Sequence, residues 1–93
     1  MELVCTKQLE IVETVEYRYK QVNLEYYLLA CETDEACTYG IQINMTSDRG
    51  EAETEIIHDV STSKAGMIDL IKLLYTNSVT PVSARDIVCD CIS

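Results

Sequence analysis

Ninety-three residues with a hydrophobic share of 47% fit one small domain spanning 1–93 and leave too little chain for two separate cores. Sixteen Asp and Glu against seven Lys and Arg give a net charge of −9, which argues against direct binding to nucleic acid or to an anionic membrane surface, because both need clustered cations. No apolar run reaches the roughly 18–20 residues of a membrane-spanning helix; Met1-Glu2-Leu3-Val4-Cys5 lacks the features of a secretion signal, and an odd count of five cysteines points to reduced thiols in a cytoplasm.

From Leu9 to Lys20 the apolar Leu9, Ile11, Val15, Tyr17 and Tyr19 alternate with polar residues, the period of a half-buried strand. Val12 and Glu13 interrupt the alternation, so the segment reads either as a long ribbon with a bulge or as a shorter strand behind an irregular arm over residues 1–8, with a little strand at 3–6. Leu24 to Cys31 is apolar at both parities, as in a central strand, and Glu32 to Glu35 supplies a turn. Cys37, Tyr39, Ile41, Ile43 and Met45 alternate cleanly with Thr38, Gly40, Gln42 and Asn44. Ser47-Asp48-Arg49-Gly50 then reverses the chain into a returning strand over Glu53 to Val60.

Beyond Val60 the period becomes helical. Met67, Leu70, Ile71, Leu74 and Ser78 recur at three and four residues, Ile68 and Tyr75 widen the stripe, Ser61, Thr62 or Ser63 caps the start, and Asn77-Ser78 marks the end. Pro81 bars the helix from running on. Ser83-Ala84-Arg85-Asp86 reads as a capping box for a second helix, with Val82 stapled onto Ile87 and Ala84, Ile87, Val88 and Cys91 on its core face. Strands first and helices second predict an α+β fold: an antiparallel meander of three or four strands followed by two helices packed on one face. The other sheet face, including Tyr27 and Leu29, stays open.

Tyr26-Tyr27-Leu28, Tyr39-Gly40-Ile41, Asp59-Val60-Ser61-Thr62, Val79 with Pro81-Val82, and Asp86-Ile87-Val88 together resemble a family of short uncharacterised clostridial proteins, a domain of unknown function. Relatives in that pattern carry His and Leu after the Pro-Val pair and an acidic residue before the second Asp, where this chain has Ser83, Ala84 and Cys89. The resemblance implies the same fold and a Gram-positive origin, and brings no activity with it.

No set of residues points to catalysis, a metal or a cofactor. His58 and Asp59 are neighbours whose side chains leave a regular strand on opposite faces, so adjacency alone builds no Cys–His–Asp site. Cys89 and Cys91 lie about 200° apart on a helix and cannot share one ion; Cys89 is the candidate reactive thiol, while Cys31 and Cys37 face one another across a hairpin. Tyr27 and Leu29 are the interface candidates, since tyrosine suits half-buried contact positions. Glu51, Glu53 and Glu55 share a strand face at about 6.6–6.8 Å, near the spacing of successive phosphates, although charge guarding an edge strand is the plainer account. The sequence therefore reads as a non-enzymatic protein-interaction domain, self-associating through its open face or an edge strand. The alternative is an acidic inhibitor that fills the basic channel of a nucleic-acid enzyme such as a defence nuclease.

Overall fold

Alternating residues build four antiparallel strands, β1 (Glu2–Glu13), β2 (Arg18–Glu32), β3 (Cys37–Ser47) and β4 (Ala52–Ser61), and two helices follow, α1 (Lys64–Thr76) and α2 (Pro81–Ile92). The computed structural model describes residues 1–13, 18–48 and 50–92, and the side chains of 1–10, 21–48 and 50–91. The sheet order β1-β2-β3-β4 makes every strand connection a hairpin, giving the α+β meander that the periodicity predicts.

The stretch from Leu9 to Lys20 is not one strand. Its first part ends β1 at Glu13, its last part begins β2 at Arg18, and these two residues pair across the ladder. Nothing between Glu13 and Arg18 is Gly, Pro, Asn or Asp, so the usual turn chemistry does not announce the reversal. Residues 2–8 belong to β1 rather than to an irregular arm, because β2 is long enough to pair them as far as Leu28. Val15, Tyr17 and Arg49, and the side chain of Tyr19, lie outside the described residues.

Register decides which side chains meet. The even residues of β2, Val22, Leu24, Tyr26 and Leu28, are buried, and opposite them stand Leu9, Lys7 and Cys5 of β1 and Met45, Ile43 and Ile41 of β3. Ile57 extends the row into β4. Met67, Ile71 and Leu74 of α1, with Val79, Ala84 and Val88, close over this face. Each fully buried aliphatic side chain contributes on the order of 1.5–3 kcal/mol, so these positions fix which face the helices cover.

Tyr26 sits at the centre, fully buried, in the strand second from the β1 edge. Its hydroxyl donates to the Val79 carbonyl at 2.9 Å, and its ring meets Tyr75 edge to face with centroids 6.2 Å apart. Lys7 Nζ lies 4.9 Å from the Tyr75 ring centroid and donates to the Tyr75 carbonyl at 3.0 Å, so its stem covers the core margin while its charge is satisfied. Burial pushes the Tyr26 phenol up to about 12, with Cys5 and Tyr75 adding to the shift.

Ser63 caps α1, its hydroxyl accepting from the Gly66 amide at 3.1 Å. Beyond the last turn, Ser78 takes φ 54° and the Val79 amide donates to Leu74. The second helix starts two residues before the expected Ser83 cap. Pro81 occupies its first turn, where a missing N–H costs nothing, and the Thr80 carbonyl accepts from the Ser83 amide at 3.2 Å. No staple forms: Val82 is 80% exposed, and Cys91, at the far end of the helix, is exposed instead of lying on its core face.

Gly40 permits a close approach in the β3–β4 pair. A Cβ there would drive into the Ile57 carbonyl oxygen and lie 3.1 Å from His58 Cα, just where the register shifts between Tyr39 and Ile41. Across that shift β4 carries two more residues than β3; Asp59, at φ 54°, lies in that bulge and accepts from the Thr38 hydroxyl at 2.7 Å.

Gly40→Ala is expected to lower unfolding stability by about 1–3 kcal/mol, measured by chemical denaturation, since the clash is with backbone and cannot relax by a rotamer change. The folded state holds the Tyr26 proton to higher pH than the unfolded chain does. Its contribution is full below about pH 10 and is lost as pH rises towards about 12; thermal melts across that window should show an alkaline decline that Tyr26→Phe reduces.

Candidate functional site

With both helices on one side, the odd residues of β2 define a helix-free face. Tyr27 and Leu29 stand on it, as the alternation predicts, and both are half-buried. Opposite Tyr27 lie Leu3 of β1 and Gln42 of β3, and Ile56 of β4 lies opposite Gln42, so one cross-strand row reads Leu3, Tyr27, Gln42, Ile56. Leu3 is 49% and Ile56 40% exposed. Leu29 is in the adjacent row beside Gly40, whose missing side chain leaves the Leu29 flank uncovered.

Away from this apolar end the face is built mainly of amides and hydroxyls, with Glu10 and Glu25 among them. Thr6, Glu25, Asn44 and Thr54 form one row, and Gln8, Asn23, Thr46 and Ala52 the next. Gln42 Nε2 donates to Asn44 Oδ1 at 2.9 Å, and the Tyr27 hydroxyl donates to Glu25 Oε2 at 3.1 Å. Partial burial, followed by the Glu25 carboxylate, raises the Tyr27 phenol above its ordinary value. Among the described strand residues this face carries three carboxylates, Glu10, Glu25 and the bulge residue Asp59, in a chain with sixteen acidic residues.

The three glutamates of the acidic row lie elsewhere. Glu53 and Glu55 stand opposite Met45 and Ile43 on the helix-covered face at the β4 edge, and Glu51 precedes the strand. Arg85 of α2 binds Glu55 Oε1 through Nη2 at 2.7 Å and through Nε at 3.2 Å, and its Nη2 also donates to the Ile56 carbonyl at 3.1 Å. Tyr27 with Leu29, and Glu53 with Glu55, therefore occupy opposite sides of the sheet and form no common surface.

Two concavities border the bare face. A depression of about 260 Å³ is edged by Met1, Leu29, Cys31, Thr38, His58 and Asp59. The bulge brings His58 and Asp59 to the same hollow, which a regular strand would not do. Even so, the Asp59 carboxylate accepts from Thr38, and among the described residues no hydrogen bond links Cys31, His58 and Asp59. A cleft of about 410 Å³ lies where β1 and β2 run past the end of β3, between Leu9, Gln21, Asn23 and Ser47-Asp48. Among the described residues no group of three or more His, Cys, Asp or Glu is placed to hold a metal ion, and no buried side-chain polar atom lacks a partner.

Cys31 does not face Cys37. The register sets Cys31 opposite Thr38 and Cys37 opposite Glu32, so the two thiols leave the sheet on different sides and all five cysteines are free. Cys89 and Cys91 are both exposed on α2. Sequence reasoning missed Leu3 and Ile56 in the row of Tyr27 and Met1 beside Leu29; the doublet Ile56-Ile57 held the signal, because two adjacent strand residues cannot share the core face.

Residues 2–93 match the model of a family of unknown function, DUF6514. No curated protein and no solved structure matches the chain. Among the described residues no helix is long and apolar enough to cross a membrane.

Exposure orders the thiols. Iodoacetamide labelling of the native protein, read by mass spectrometry, should modify Cys31, Cys89 and Cys91 first and Cys5 last, because burial raises the Cys5 thiol and shields it.

Proposed function

We propose that the chain, which belongs to the DUF6514 family of unknown function, is a protein-interaction domain whose bare sheet face docks on a second copy of itself. The observation that carries this reading is the chemistry of that face: it holds three of the sixteen acidic residues, Glu10 and Asp59 towards its margins, and is apolar along Leu3, Tyr27, Leu29 and Ile56. A protein with this charge meets its own copy at least cost where carboxylates are sparse, since like charges brought together across an interface cost several kcal/mol. Four strands about 4.8 Å apart and about eight residues long span roughly 20 by 27 Å, which in accessible area approaches the about 800 Å² per partner of a stable interface. The exposed surface of 6011 Å² supports the reading. A compact monomer of this mass exposes about 5,400 Å², so the chain has area to cover.

A partner with a basic surface is the weaker reading, because Arg85 already engages Glu55 and the acidic row lies on the helix side. Non-enzymatic action, a cytoplasmic setting and the clostridial origin implied by the resemblance belong to the same proposal.

Sedimentation velocity over a concentration series tests it. The wild-type chain should reach at least twice its monomer mass at high micromolar concentration, and Tyr27→Lys or Ile56→Lys should shift the face-dependent doubling to at least tenfold higher concentration, about 1.4 kcal/mol. A dimer indifferent to both substitutions would remove the face from the account.

A further inference from the structure

The two edges of the sheet are unlike. At the β4 edge the outward Ile56 carbonyl is taken by Arg85 Nη2 at 3.1 Å, Glu55 is held by the same guanidinium, and Asp59 forms a bulge. Each of these devices obstructs the addition of another strand. At the β1 edge the outward groups follow from the ladder. The Gln21 carbonyl accepts from the Asp48 amide, on the β3 side, so the odd residues of β2 bond towards β3 and the even ones towards β1. Leu24 and Val22 accordingly exchange bonds with Lys7 and Leu9, and the N–H and C=O groups of Thr6, Gln8 and Glu10 point away from the sheet. Thr6, Gln8 and Glu10 are exposed, and among the described residues no hydrogen bond to their backbone groups is present.

We infer that β1 pairs antiparallel with β1 of a second copy, in a register centred on Gln8, to make one continuous eight-stranded sheet. This contact is independent of the bare-face contact. The register follows from parity and charge. Outward residues must meet outward residues, and the helix faces of both copies must lie on one side, so even residues pair with even ones. Centring on Lys7 or on Glu10 sets like charges directly opposite each other, and centring on Thr6 or on Leu9 pairs a shorter stretch of β1 than residues 3–13, which centring on Gln8 pairs. Centring on Gln8 places Glu10 opposite Thr6 and Leu9 opposite Lys7, whose stem gives Leu9 an apolar neighbour. The Gln8 pair forms two reciprocal N–H to C=O bonds across the symmetry axis, flanked on each side by Thr6 with Glu10.

Gln8→Pro tests this without touching the fold, since the Gln8 amide makes no bond to β2 and proline is tolerated where an edge N–H faces solvent. Gln8→Glu tests it without altering the backbone, by setting two carboxylates opposite each other. Sedimentation velocity of the full chain should show Gln8→Pro losing one doubling of mass relative to wild type, with an unchanged circular-dichroism spectrum. Gln8→Glu should raise the dissociation constant severalfold, with recovery in high salt. With the bare-face contact also present, the wild type reaches a tetramer and Gln8→Pro and Tyr27→Lys each stop at a dimer. If that contact is absent, the wild type is a dimer that survives Tyr27→Lys and is lost in Gln8→Pro. A Gln8→Pro variant with wild-type mass, or a wild-type chain monomeric throughout, which would leave the edge to another protein's strand, overturns the inference.

Discussion

Tyr26 decides how this molecule is layered. It is the one tyrosine with a fully buried side chain among the described residues, and it joins three parts of the fold. Its ring lies between Cys5 and Ile43 on the neighbouring strands, meets Tyr75 of α1, and its hydroxyl satisfies the Val79 carbonyl in the link between the helices. A carbonyl buried there without a donor would cost about 1–3 kcal/mol. A phenylalanine would fill the space but leave the link unanchored, and the link positions Ala84 and Val88 of α2 against the core. Once helices are committed to the even side of β2, strand geometry assigns Tyr27 and Leu29 to the side they do not cover.

That division also explains where charge resides. The helix side of the sheet tolerates Glu53 and Glu55 because they lie at the β4 edge, with Arg85 reaching across from α2. The isolated ion pair adds little to stability, its guanidinium being 59% exposed. Its structural effect is larger, since the same guanidinium occupies the Ile56 carbonyl and closes that edge. At the β4 edge the carboxylates thus lie where contact with another copy is obstructed, whereas the row Leu3, Tyr27, Gln42 and Ile56 on the bare face carries none. The proposed face contact follows from this asymmetry, and the proposed edge contact from the unpaired backbone groups of β1.

Most of the architecture was legible in the sequence because the periods are clean. The alternation from Cys37 to Met45 became β3, and the three-and-four spacing from Met67 to Leu74 became α1 with Ser63 as its cap. The failures have local causes. The β1–β2 reversal lacks turn-forming residues, so two strands read as one. The Ser83 motif looked like a capping box, yet a proline is favoured in the first turn of a helix, and Pro81 started α2 earlier. Cys91 followed the helical stripe correctly, but the helix outruns the surface it packs on. At the site, parity placed Tyr27 and Leu29 well. Their partners depended on cross-strand register, which the sequence does not encode in any single segment, and the bulge that turns His58 and Asp59 to one hollow depends on Gly40.

One side of the sheet is sealed by its own helices, and the other is the side proposed to dock on a second copy. Hydroxyl-radical footprinting with residue-level mass spectrometry, run on dilute and on concentrated protein, reads both sides in one experiment. Oxidation of Tyr26 should stay low throughout, whereas Tyr27 and Ile56 should be modified in dilute solution and protected in concentrated solution. Equal modification of Tyr27 at both concentrations, or ready oxidation of Tyr26, would contradict the account.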